Sequence, residues 1–206
     1  TVGSVAGITF NSTAGAYTLA ANSGSAGYDT ASAMQLNGNI LNNSTATQTI
    51  NLALTSTATR VYDAAAGNLA IGGVISGTGA LTQNAASTLT LSGANTYNGT
   101  TTIKSGTVVI GHATGLGSGG NISFTGGGLQ YGSGITTDIS SRIKNSTLAI
   151  LVDTNGNNVT FASAVVGAWN LDERSNKDYR YAGQRKEGGR GDLADEFVQL
   201  KAVEIF

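Results

Sequence analysis

The sequence has no cysteine, so it forms no disulfide, no thiolate metal site and no catalytic thiol. It has no proline either, which suits a chain built almost wholly from hydrogen-bonded strands. Charged residues make up only 11% of the chain, against roughly 25% in a typical soluble domain. The net charge is −1, so the charge balance gives no basis for binding nucleic acid or an anionic membrane. No apolar run approaches the ~20 residues of a membrane-spanning helix. There is one histidine, His112.

What fills the space is Thr, Ser, Asn and Gly. Glycine takes 30 of 206 positions, about twice its usual share of ~7%. No three-residue glycine period exists, so collagen is excluded and tight corners are implied. Short runs such as GITF, AYTL, AMQL, TINLAL, NLAI, TLTL, TTTI, TVVI, NISF, GLQY, TLAILV and NVTF alternate apolar and small polar residues. That is the period-two signature of half-buried strands. SGTG, SGAN, YNG, KSG and GSGG separate them. The strands are shorter than those usual in sandwiches, near-repeats recur, and charge is scarce. In a stacked coil a given position recurs ~4.8 Å away in the next rung, so like charges would pile up along the axis. These features predict a β-solenoid of about seven rungs, at ~20–25 residues per rung. The expected core is Ile50, Leu52, Leu54, Leu89, Leu91, Ile103, Val108, Ile110, Ile122, Phe124, Leu148, Ile150 and Val152.

Charge divides the chain. Eight charged residues precede Leu171, and the other fifteen lie between Asp172 and Glu204. The expected division is a solenoid over 1–168 and a charged tail over 169–206. Within the tail, QRKEGGRGD reads as a flexible loop. LADEFVQLKAVEIF reads as a short helix, capped by Asp192 and bearing Leu193, Phe197, Leu200 and Val203 on one face.

The stretch TLTLSGANTYNGTTTIKSGTVVIG, with Gly106 and Gly111 closing its last strand, resembles the autotransporter-associated β-strand repeat. That repeat occurs in passenger domains of bacterial type V secretion. The following GLGSGGNISFTGGGLQYGSG is similar to the usual continuation. The resemblance implies a right-handed parallel β-helix that acts mostly as a stalk or display scaffold, at the cell surface or outside the cell. It transfers no catalytic residue. A passenger fragment is expected, with its export signal and translocator barrel outside this chain.

Several constellations point elsewhere. GLGSGG at Gly115–Gly120 satisfies G-x-G-x-x-G after a strand, but a dinucleotide site needs a helix there, and NISFTGGGLQY reads as strand. A solenoid corner is expected instead. His112 has no G-x-S-x-G partner motif and reads as a loop residue. Asp138, Arg142, Lys144 and Asp153 form the one charged group of the solenoid. On neighbouring rungs they would give a glycan lyase or hydrolase its acids and base, the alternative function. Thr-rich strands suggest an ice-binding ladder, yet their spacing is uneven. Arg190, Gly191 and Asp192 form an RGD tripeptide, a candidate receptor-binding site.

The sequence therefore leads to an all-β parallel solenoid with a short, partly helical charged tail. Its expected role is structural or adhesive rather than enzymatic, with no cofactor and no metal. Expected partners are other copies, through the solenoid ends, and a host or cell-surface ligand.

Overall fold

A computed structural model describes residues 3–21 and 33–165, and the backbone of 169–170, 179–181 and 203–205. The chain winds as a parallel β-solenoid with three faces. The first face carries Ser4–Val5, Met34–Leu36, Leu54–Thr55 and Ile75–Ser76. The second carries Ile8–Phe10, Ile40–Asn42, Arg60–Ala64, Leu81–Gln83, Thr101–Ile103 and Ile122–Phe124. The third has eight strands: Thr18–Leu19, Gln48–Ile50, Leu69–Ile71, Thr88–Leu91, Thr107–Ile110, Gly128–Tyr131, Ile150–Asp153 and Trp169–Asn170. All pairings within these faces are parallel. The six strands of the second face correspond to about six full turns, close to the expected number.

The repeat length is set by register. On the third face Leu69, Leu89, Val108, Leu129 and Val152 stand in one column, one residue per coil. Ile50, Ile71, Leu91, Ile110 and Tyr131 form the column beside it. Successive members are 19 to 23 residues apart, while the first coil-to-coil offset is longer, from Ile8 to Ile40. Alternation puts both columns inside, and all of these residues are buried. Each buried Leu, Ile or Val contributes about 1.5–3 kcal/mol by leaving water.

Two residues depart from the expected core. Leu148 is 55% exposed, and Leu52 is only partly buried. TLAILV reads as one strand, but pairing begins at Ile150. Leu148 lies in the preceding corner, just after Asn145 at φ 59, so strand alternation does not govern it. TINLAL likewise divides, because the chain turns a corner between Ile50 and Leu54.

Corners are closed by polar side chains that bond along the stack. Asn95 Oδ1 accepts the Ile75 amide at 2.8 Å, and its Nδ2 donates to the Gly115 carbonyl at 2.7 Å, which joins three coils. Asn42 Nδ2 donates to the Ala46 and Asn68 carbonyls, both at 2.9 Å. Gln83 Oε1 accepts the Ala64 amide of the previous coil at 3.4 Å, and its Nε2 donates to the Ala85 and Ser87 carbonyls of its own corner. No buried side-chain polar atom lacks a partner among the described residues. This matters because an unpaired buried polar group costs about 1–3 kcal/mol.

Within the tail, Trp169–Asn170 still pairs in parallel on the third face, and the described strands beyond it depart from the stack. Val203–Ile205 is a strand antiparallel to both Thr160–Phe161 and Tyr179–Tyr181. Val203, expected on a helix, is therefore in a strand. The rest of that expected helix, 193–202 and 206, and the QRKEGGRGD loop lie outside the described residues.

Gly79, Gly99 and Gly120 stack at one corner. A Cβ on Gly99 would lie 2.3 Å from the Gly79 oxygen and 2.5 Å from the Ala80 nitrogen. Both are backbone atoms, so the coil must shift. Gly99→Ala is expected to lower stability by about 2 kcal/mol or more, whereas Gly119→Ala, with nothing within 4 Å, leaves it unchanged. Thermal denaturation of the two variants checks this.

The core also holds Tyr62, Tyr97 and Tyr131. Burial pushes the Tyr97 phenol up to about 12, although its bond to Thr101 Oγ1 at 2.7 Å opposes the shift. Burial raises Tyr62 and Tyr131 as well. Above pH ~10 the unfolded chain loses these protons while the folded one keeps them, so stability falls as pH rises. The midpoint of thermal unfolding is expected to be level below pH ~10 and to drop between pH ~10 and ~12. The phenolate absorbance of Tyr62, Tyr97 and Tyr131 should appear together with unfolding, not before it.

Candidate functional site

The charged group at 138–153 occupies the coil after Gly128–Tyr131, where a 3-10 turn at Ser140–Arg142 replaces a strand. Arg142 is half-buried and reaches back to the previous coil. Its Nε donates to the Gly120 carbonyl at 2.8 Å, and its terminal nitrogens donate to Gly117 at 3.0 Å and Leu116 at 2.5 Å. Burial depresses this guanidinium somewhat, while the nearby Tyr97 works in the opposite direction.

Asp138 binds backbone in the opposite sense. Its Oδ1 accepts the Ser140 amide at 2.8 Å, and its Oδ2 accepts the Ala162 amide of the next coil at 3.0 Å. Partial burial raises its pKa, but the bonds from Ser140 and Ala162 outweigh that and hold it below the ordinary value. Asp153 Oδ2 accepts Gln130 Nε2 at 2.8 Å, and its Oδ1 accepts the Asn155 amide at 2.7 Å. Three of the four charged groups thus bind the fold itself, and each bond to another coil spans 22 to 26 residues of sequence.

Lys144 is exposed and lines a shallow groove of about 610 Å³ with Ser140, Ser141, Asn145, Ser146 and Ser163. Two of these hydroxyls already accept backbone amides: Ser140 Oγ from Ser163, and Ser146 Oγ from Phe124. The lining carries one ammonium and no carboxylate. A glycosidase needs a pair of carboxyl groups flanking the bond to be cleaved.

The remaining candidates fall as follows. His112 Nδ1 accepts the Thr114 amide at 3.1 Å and contacts Thr114 Oγ1, so the ring caps its own loop. GLGSGG is a corner: Gly117 has φ 69, and the next element is the strand Ile122–Phe124. The outward column of the third face reads Thr18, Thr49, Ala70, Thr90, Val109, Gln130, which is not an unbroken threonine ladder. Arg190, Gly191 and Asp192 lie outside the described residues. No group of acids, histidines and cysteines among the described residues is arranged to hold a metal.

Residues 81–110 match the family model of the passenger-associated-transport-repeat. The chain carries this repeat. No curated protein and no solved structure matches the chain at a significant level. The repeat spans Leu81–Gln83 and Thr88–Leu91, then Thr101–Ile103 and Thr107–Ile110, which pair directly upon them. It is therefore one coil together with the strands that seat the next. Asn95 and Gly99, which close its corners, lie inside it. Such repeats are typical of autotransporter passenger domains and suggest a secreted or surface protein.

Nothing local in the sequence marks Arg142 as a carbonyl clamp, because the clamp depends on which residues the coil offset superimposes. Arg142→Met leaves three carbonyls without their donor and is expected to lower stability by about 2–3 kcal/mol. Lys144→Ala is expected to stay within about 0.5 kcal/mol of the parent. Denaturant unfolding of both variants measures the difference.

Proposed function

We propose that this chain is a scaffold segment of a surface-displayed or secreted bacterial passenger, with a structural and adhesive role. The observation that supports this most is that the transport repeat is built into an uninterrupted parallel stack, as one coil among several. The charged side chains Asp138, Arg142 and Asp153 hold that stack together instead of converging on a substrate. A rigid stack of this kind carries whatever the outer face and the tail display. Arg190, Gly191 and Asp192 are the proposed contact with a host receptor, and the solenoid ends are the proposed contact between copies.

Antibody against the folded protein is expected to label intact producing cells, or to find the protein in their medium. Purified protein is expected to leave a panel of polysaccharides uncleaved, with and without Ca²⁺. Retention inside unbroken cells contradicts the display reading. Polysaccharide cleavage that disappears in Lys144→Ala supports the glycan-active alternative.

A further inference from the structure

The tripeptide Asn-Ser-Thr occurs three times, at Asn11, Asn43 and Asn145. Each time it lies between a second-face position and the third-face strand of the same coil. The first follows Phe10 and precedes Thr18, and the second follows Asn42 and precedes Gln48. The third follows Ile143, which bridges to Ile122, and precedes Ile150. The first two are stacked, since the Asn43 amide donates to the Phe10 carbonyl at 2.9 Å.

Corner packing accounts for the central serine of the second and third tripeptides. Ser44 Oγ donates to the Ala14 carbonyl and accepts the Ala46 amide, and Ser146 Oγ accepts the Phe124 amide at 3.0 Å. It does not account for the residues on either side. Asn11, Asn43 and Asn145 are all exposed, and so are Thr13, Thr45 and Thr147. Left-handed backbone at φ 59 explains an asparagine at 145, but Asn11 and Asn43 are not in that region. What the three share, as Asn158 and Thr160 do also, is an exposed amide with an exposed hydroxyl two residues on, which is the acceptor pattern for an N-linked sugar.

We propose that Asn11, Asn43 and Asn145 are N-glycan attachment sites between the second and third faces, a reading that rests on display of the protein outside the cytoplasm. The donor is a sugar joined to a nucleoside or polyprenyl diphosphate, and a separate transferase supplies the base. The side-chain amide nitrogen bonds to the anomeric carbon. The carbon–oxygen bond to the diphosphate breaks, and the diphosphate leaves with that electron pair. The amide proton passes to the transferase base. Asn11 and Asn43 are one strand spacing apart, ~4.8 Å, so two sugars there crowd each other. Occupancy is expected at Asn145 and at one or the other of the stacked pair.

The chain contains its own control. Asn42-Asn43-Ser44 has the same pattern, but Asn42 is 0% exposed and its amide is bonded to two carbonyls. Protein is isolated from its producing cells and its glycopeptides are mapped by mass. Sugar on Asn145 and on Asn11 or Asn43, with none on Asn42, is the expected result. A single sugar identifies a nucleotide donor, and a preassembled oligosaccharide identifies a lipid-linked one. Thr147→Val should abolish sugar at Asn145 without moving the thermal midpoint. Surface-recovered protein bare at all three positions overturns the proposal, as does sugar on Asn42 or sugar retained in Thr147→Val. Protein found only inside the cell overturns the display reading instead.

Discussion

Each strand of the solenoid is held by backbone hydrogen bonds to the strands one coil before and one coil after it, and this fixes what every position is allowed to be. A slip of one residue would turn a whole inward column to solvent. The column from Leu69 to Val152 tolerates offsets of 19 to 23 residues only because the extra residues go into corners. Corners are tight enough that Gly79, Gly99 and Gly120 pass backbone against backbone. They also hold backbone groups that Asn42, Gln83 and Asn95 bridge between coils. Apolar columns supply the burial energy, and these amides supply register, because each bonds well only to the coil in its correct place.

The same constraint explains the shortage of charge. A charged residue on a stacked face meets its counterpart a few ångströms away in the next coil. The charges that remain in the solenoid are mostly turned onto backbone groups. Arg142 collects three carbonyls of the coil behind it, and Asp138 collects an amide of the coil ahead. The outer corners carry exposed Asn and Thr, among them Asn11, Thr13, Asn43, Thr45, Asn145 and Thr147.

Much of this was legible because strand alternation is a local signal. TLTL, TVVI and GLQY are strands over the same four residues in structure and sequence. Arg60–Ala64 was not legible, since a run holding Arg and Asp has no apolar alternation. It is a strand because Ile40–Asn42 and Leu81–Gln83 pair with it on either side. Leu148 misled because its spacing to Ile150 continues a strand pattern that the chain has not yet begun. The burial of Gln48 and Asn95 has no local signal, because the backbone groups they meet lie a coil away. The charged group at 138–153 was legible as a cluster in sequence. Its roles were not, because its partners lie more than twenty residues away.

The stack itself is open to a direct test, helped by the absence of native cysteine. Thr18, Thr49 and Gln130 lie in one outward column, with Gln130 four coils beyond Thr49 and five beyond Thr18. Spin labels at cysteines replacing these residues report their separations by pulsed electron resonance. A parallel in-register stack gives backbone separations of ~19 Å for Thr49–Gln130 and ~24 Å for Thr18–Gln130, one strand spacing more. Equal separations for the two pairs, or broad distributions without a defined distance, would contradict the stacked coil.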